Sequence, residues 1–376
     1  MSMICTIRDL QKLARARVPR MFYDYADSGS WTESTYRANE EDFQPIKLRQ
    51  RVAVDISERS LKTDIIGQPA TMPVALAPVG LTGMQHADGE IKAALAAEKF
   101  GVPFTLSTMS ICSIEDVAER TSKPFWFQLY VMRDQDFIER LIDRAKAANC
   151  SALMLTLDLQ ILGQRHKDLR NGLSAPPKFT LDSALQVISR PRWCLNMLTT
   201  PRHTFGNIVG HAKGVGDLSS LSSWTAKLSW KDIEWIKERW GGKLIIKGIL
   251  DADDARMAEK VGADAIIVSN HGGRQLDGAR SSISALPEIV EAVGKDIEVH
   301  FDGGIRSGQD VLKALCLGAH STYIGRAFIY GLGARGEAGV SEALGIIQKE
   351  LDMTMALCGE RLVENLGHHN LLNPPG

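Results

Sequence analysis

The sequence predicts a (β/α)8 barrel with an N-terminal extension and one long insertion, and three observations predict it. Short apolar runs recur eight times from Met72 onward: Val74–Ala77, Phe104–Ser107, Trp126–Tyr130, Leu153–Asp158, Leu244–Lys247, Ala265–Ser269, Glu298–Asp302 and Thr322–Gly325. Segments of helical period stand between them, among them Gly89–Phe100, Gln135–Asn149, Ala252–Val261, Ala285–Val293 and Gln309–Leu317. Reactive side chains gather at or just past the ends of the apolar runs: Ser107, Gln128, Tyr130, Thr156, Asp158, Lys247, Ser269, His271, Asp302 and Arg326. Continuous apolar character suits strands covered on both faces, and barrel chemistry sits at the C-terminal ends of the strands. A doubly wound open sheet is the alternative. It calls for G-x-G-x-x-G after the first strand, which Pro78-Val-Gly-Leu-Thr-Gly83 does not spell.

Taken in order, residues 1–70 are charged, helical in period and turn-rich, and read as an extension ahead of the barrel. Asp134 and Asp251 stand where helix-starting residues are needed, one before Gln135 and the other before Ala252. About 85 residues separate the fourth and fifth runs, far beyond an ordinary crossover, so an insertion is expected over 176–228, beginning near Pro176. The barrel then occupies 71–335, and 336–376 form a closing helix and tail, all within one domain of 1–376.

Composition narrows the function. The 44 Lys plus Arg balance 45 Asp plus Glu, so no global field is available to hold nucleic acid. Six scattered cysteines without a C-x-x-C pair predict reduced thiols in an intracellular protein, with neither a disulfide framework nor a metal site. The first twenty residues lack the apolar stretch of a secretory signal, and no window approaches the ~20 apolar residues that span a bilayer.

The most specific short motif is Ser269-Asn-His-Gly-Gly-Arg-Gln-Leu-Asp277. His271 leaves strand six on a glycine-loosened turn, and Arg274 offers a planar fork for a carboxylate. A base beside an anion clamp suits removal of a proton or hydride from the carbon next to a carboxylate. Asp158, ending strand four, can face His271 across the barrel and stabilise its imidazolium form. Arg165 in the same loop is a second carboxylate candidate. Lys247 has two readings: a Schiff-base amine, or a cation stabilising an anion such as a reduced flavin ring. Asp302-Gly303-Gly304-Ile-Arg306-Ser-Gly308 and Ile324-Gly325-Arg326-Ala327 read as a phosphate cradle after strands seven and eight, where barrels commonly bind phosphate.

These residues together resemble the FMN-dependent α-hydroxy-acid oxidases and dehydrogenases, over nearly the whole chain. Matching segments are Pro19-Arg-Met-Phe-Tyr-Asp-Tyr25, Leu76-Ala-Pro-Val-Gly80, Trp126-Phe-Gln-Leu-Tyr130, Ile246-Lys-Gly248, the Ser269–Asp277 motif and Gly325-Arg326. The resemblance implies non-covalent FMN and oxidation of an (S)-2-hydroxy acid to a 2-oxo acid, L-lactate to pyruvate in the respiratory branch. It implies that Tyr25, Arg165 and Arg274 grip the substrate carboxylate, Tyr130 contacts its hydroxyl, and His271 is the base supported by Asp158. Ser107, Gln128, Thr156, Lys247 and Ser269 would line the flavin, over the backbone of Ala77, Pro78, Val79 and Gly80. Asp302, Gly303, Gly304, Arg306, Gly325 and Arg326 would hold its phosphate. Met109 stands where some oxidases of the family carry Trp, and Gly80 where several carry Ala; the dehydrogenases are the nearer match. The insertion, with Lys178, Arg190, Arg192, Arg202 and Lys213 among apolar residues, resembles the segment by which family members sit on a membrane. A quinone or cytochrome acceptor, the cytoplasmic face of a bacterial inner membrane and a homotetramer follow as further implications.

Overall fold

The computed structural model describes residues 3–132, 134–173, 181–208 and 228–373. Eight parallel strands form the barrel: β1 (Val74–Leu76), β2 (Thr105–Ser107), β3 (Trp126–Tyr130), β4 (Ala152–Thr156), β5 (Lys243–Ile249), β6 (Ala265–Val268), β7 (Glu298–Asp302) and β8 (Ser321–Ile324). Hydrogen bonding runs in the order β1-β8-β7-β6-β5-β4-β3-β2, and a parallel bridge from Leu76 to Phe104 closes the ring. The expected (β/α)8 barrel is therefore present. Each apolar run serves two faces because side chains alternate along a strand. Trp126, Met154, Ile245 and Ile267 fill the interior, while Phe127, Leu129, Leu153, Leu155 and Ile246 join the layer beneath the helices.

Two helices start where the sequence places capping groups. The Asp134 carboxylate accepts from the amide of Phe137, opening Gln135–Ala147, and that of Asp251 accepts from Asp253, opening Ala252–Lys260. The expected 336–376 segment is a helix, Glu337–Cys358, laid against Gly89–Phe100, Gly308–Cys316 and Arg326–Arg335. The extension supplies the helix Ile7–Arg17, packed on Arg326–Arg335, and the shorter Arg20–Ala26 and Ser34–Glu41.

One element departs from the helical, turn-rich reading of 1–70. Residues Thr63–Ile65 and Gln68–Ala70 make an antiparallel hairpin across the N-terminal end of the barrel. Gln68 Oε1 accepts from the Trp126 indole (3.0 Å) and the Ser151 hydroxyl (3.3 Å), and Ile65, Ile66 and Ala70 cover the interior apolar layer. The hairpin covers that end of the interior, and the large cavity opens at the opposite end.

Within the expected insertion, helices Leu181–Ile188 and Pro191–Met197 are seen; Pro176, Lys178 and Lys213 lie outside the described residues. The inner side of this helix pair is fastened to the mouth. Trp193 donates to Met84 O (2.9 Å) and stacks on Phe22, and Gln186 Oε1 accepts from Met21 N (2.9 Å). Arg202, one of the basic residues of the insertion, pairs with Asp88 (3.2 Å) and Asp116 (2.8 Å) and works as an anchor.

Glu90 joins the first two loops of the mouth. Only 1% exposed, its carboxylate accepts from the amides of Gly83 (2.9 Å), Ile111 (2.9 Å) and Cys112 (3.4 Å). Glu90→Leu strands these donors at about 1–3 kcal/mol each, so chemical denaturation is expected to show a loss of roughly 3 kcal/mol or more. A loss below about 1 kcal/mol would contradict this accounting.

Candidate active site

Strands β4 and β6 bring Asp158 and His271 together. His271 Nδ1 lies 2.8 Å from Asp158 Oδ1, and the His271 amide donates to Ser269 Oγ at 3.1 Å. To turn back so sharply, His271, Gly272 and Gly273 all take the left-handed conformation, with φ of 58°, 65° and 72°. Burial pushes the imidazole pKa down and the nearby charges of Lys247 and Arg165 add to this, so His271 stands neutral despite the opposing pull of Asp158. Burial also resists ionisation of Asp158, but His271 and Lys247 hold its carboxyl below the usual range. The neighbour Gly248 is required by the same contact. It sits at a bulge in β5 with φ of 101°, and a Cβ there would lie 2.8 Å from the Asp158 side chain.

Two guanidinium groups share this space. Arg165 is 8% exposed, and Arg274 donates to the carbonyls of Tyr25 and Ser28 while its Cζ lies 4.8 Å from the Tyr25 ring centre. Burial, and then the positive charge of Arg165, lower the pKa of Arg274. Buried like charges held close together form a receptor for an anion. Burial pushes the Tyr130 phenol up, as do Asp158 and Tyr25, so it stands as a neutral hydroxyl beside them.

Tyr25, Ala77 to Gly80, Tyr130, Arg165, Lys247, His271, Arg274, Asp302 to Gly304, Arg306, Gly325 and Arg326 line one cavity of about 1260 Å³. Ser107, Gln128, Thr156, Asp158 and Ser269 are not on its wall but lie on the barrel strands or just past their ends. Register explains the grouping: Ser107 is opposite Gln128, and Tyr130, Thr156 and Lys247 are successive partners across β3, β4 and β5. The Lys247 ammonium lies 2.9 Å from Ser269 Oγ and 3.1 Å from Asp302 Oδ2. This paired geometry suits a lysine that holds an anion better than one poised to form a Schiff base.

The cavity fits FMN on its own chemistry. Buried Gln128 Nε2 and Thr156 Oγ1 have no hydrogen-bond partner among the described residues, as expected of groups reserved for the polar edge of a ring. At the other end Gly303 and Gly304 have φ of 114° and 84°, and a Cβ on Gly304 would lie 1.8 Å from Asn39 O. A Cβ on Gly325 would meet nothing closer than 3.8 Å, leaving backbone open to an anion. Arg326 is pinned by the carbonyls of Ala26 (2.9 Å) and Ser28 (2.8 Å), and Arg306 pairs with Glu40 at 3.0 Å.

Sequence reasoning passed over three supports. Gln275 donates to Asp158 O (2.7 Å) and Ile161 O (2.8 Å) and accepts from Gly163 N (3.2 Å), joining the loops after β4 and β6. Asn39 and Asn270 exchange reciprocal amide bonds of 2.8 Å, fixing the extension to the His271 turn. Asp168, 8% exposed, faces Arg165 at 3.7 Å. The only local signal was the three-residue spacing of Arg165 and Asp168.

Comparisons with known proteins agree with this geometry. The profile of the FMN-dependent dehydrogenase family matches residues 14–373. An L-lactate dehydrogenase of Stenotrophomonas maltophilia is 46% identical over 98% of both chains, and one of Acinetobacter baylyi is 45% identical over 98% of this chain and 97% of its own. Among solved structures, the monotopic membrane protein (S)-mandelate dehydrogenase superposes with a TM-score of 0.94 at 35% identity, covering 99% of this chain and all of that one. With its fold and nearly its full length in common with these proteins, the chain belongs to the FMN-dependent dehydrogenase family.

Proposed function

We propose that this protein oxidises an (S)-2-hydroxy acid, L-lactate foremost, to the 2-oxo acid. The observation that carries the reading is the imidazole of His271, held by Asp158 at 2.8 Å on the wall that also presents Arg165 and Arg274. The relatives named L-lactate dehydrogenase, at 43–46% identity, support the choice of acid.

In this mechanism Arg165 and Arg274 bind the substrate carboxylate, with Tyr25 beside them, and so orient C2 and its hydroxyl. Tyr130 contacts the hydroxyl. His271 Nδ1 is engaged by Asp158, which leaves Nε2 as the acceptor for the proton released during oxidation. The Asp158 carboxylate stabilises the imidazolium that results. When bound, FMN accepts the two electrons that leave the substrate. Gln128, Thr156, Ser107 and the Lys247 cation, oriented by Ser269, would hold its ring, with Ala77 to Gly80 against it. Asp302 to Gly304, Arg306, Gly325 and Arg326 would hold its phosphate end. The whole chain then acts as one FMN-binding domain, with 1–70 and 336–376 packed on the barrel.

We infer further that electrons pass to a membrane quinone rather than to oxygen, with the enzyme resting on the cytoplasmic face of a bacterial inner membrane. No helix among the described residues is long and apolar enough to cross a membrane, so the contact would be peripheral. Supporting it, Leu181, Leu185, Ile188, Leu195 and Leu198 are 65–86% exposed on the outer side of the insertion helices. Their 181, 185, 188 spacing is one helical stripe. Assembly as a homotetramer is proposed on family resemblance alone.

His271→Asn is expected to retain FMN while slowing anaerobic flavin reduction by L-lactate about 10³-fold in single-turnover absorbance measurements. Near-normal reduction would remove His271 from the base role. In the unaltered enzyme the acid limb of that rate is expected below the ordinary imidazole range, since burial favours the neutral form and activity is lost only as His271 protonates. A limb above neutrality would contradict the assignment. For the membrane reading, Leu185→Glu with Leu198→Glu is expected to abolish co-sedimentation with anionic lipid vesicles without altering flavin reduction. Failure of the unaltered protein to sediment with those vesicles would overturn it. Reoxidation of the reduced enzyme is expected to be fast with a short-chain quinone and slow with dissolved oxygen; the reverse order would make the protein an oxidase.

A further inference from the structure

We propose that Asp168 is a positioning residue for substrate capture, the internal counter-ion that keeps Arg165 and Arg274 side by side and fixes the Arg165 fork. The proposal rests on the assignment of those two arginines to the substrate carboxylate. Asp168 lies on the short helix His166–Arg170, three residues beyond Arg165, and lines the same cavity as both arginines. Its Oδ2 is 3.7 Å from Arg165 Nη1, and its buried Oδ1 has no hydrogen-bond partner among the described residues. A separation of 3.7 Å gives attraction without a full hydrogen bond. Asp168 therefore restrains the guanidinium without saturating it. Arg165 Nε is likewise buried without a partner among the described residues, so Arg165 keeps a donor for an arriving carboxylate.

The charges around Asp168 favour this role. Arg274 from the loop after β6 and Arg165 act on it favourably, while Asp24 from the helix Arg20–Ala26 opposes its ionisation. Asp24 itself is engaged by Asn171 Nδ2 at 2.8 Å, and the neighbouring Lys167 amine is turned to Glu33 at 3.0 Å. Asp168 is thus the carboxylate that both guanidinium groups feel, and without it two buried cations repel across the place where substrate must bind. Burial holds the Asp168 carboxyl above the usual range. Falling pH therefore protonates it early and removes the counter-ion while both arginines stay charged.

The test uses FMN-loaded Asp168→Asn and Asp168→Glu. In Asp168→Asn we expect unchanged FMN content, kcat with L-lactate within about twofold, and KM raised about tenfold. The dissociation constant of pyruvate, read from its perturbation of the flavin absorbance, is expected to rise by the same factor, and Asp168→Glu to recover part of it. In the unaltered enzyme KM is expected to climb as pH falls toward the Asp168 titration, and in Asp168→Asn to stay flat over that range. An unchanged or lower KM and pyruvate constant in Asp168→Asn, or a fall in kcat alone, would overturn the proposal. If L-lactate fails to reduce the unaltered enzyme, the substrate reading fails instead, and the pyruvate titration still decides whether Asp168 governs carboxylate capture.

Discussion

The contact between Asp158 and His271 is the constraint on which the rest of the mouth depends. It joins residues 113 apart in sequence, across strands that are not neighbours, at 2.8 Å and largely shielded from solvent. An imidazole and a carboxylate removed from water need this geometry, because either alone would be a poorly solvated polar group. Several local features follow from it. Gly248 lacks a side chain because Asp158 occupies the space, the His271 turn accepts a left-handed backbone, and Gln275 holds the carbonyl of Asp158 from behind.

Around that contact the barrel gathers cations faster than it supplies anions. Lys247, Arg165, Arg274, Arg306 and Arg326 all reach one cavity. Their internal partners are few and specific: Asp302 for Lys247, Asp168 for Arg165, Glu40 for Arg306. Such a pocket suits ligands with separated negative groups, and the proposed roles place a phosphate at one end and a carboxylate at the other. The family's flavin and a hydroxy acid meet that description, and the covered opposite end directs both to one entrance.

The extension is part of this machinery rather than an appendage. Asp27 accepts from the hydroxyls of Tyr23 (2.8 Å), Tyr36 (2.9 Å) and Tyr330 (2.6 Å), tying two N-terminal helices to the helix that begins at Arg326. Burial opposes its ionisation, but these phenols and Arg326 hold it below the usual carboxylate range. Through Arg326, over the ring of Tyr36, the same web reaches the end of the cavity proposed for phosphate.

By itself the sequence determined the eight strands, the starts of the helices after Asp134 and Asp251, the barrel closure they imply and many of the polar and charged residues that line the cavity. These are legible because period, capping chemistry and glycine-rich turns are local, written within a few residues of where they act. Only the tertiary structure decided that residues 63–70 cover the far end, that Arg202 anchors the insertion to Asp88 and Asp116, and that Lys247 faces Asp302. It alone showed Gln275, Asn39 and Asp168 as supports. Those outcomes depend on strand register and on which distant side chains share a buried volume, and no short window of residues carries that information.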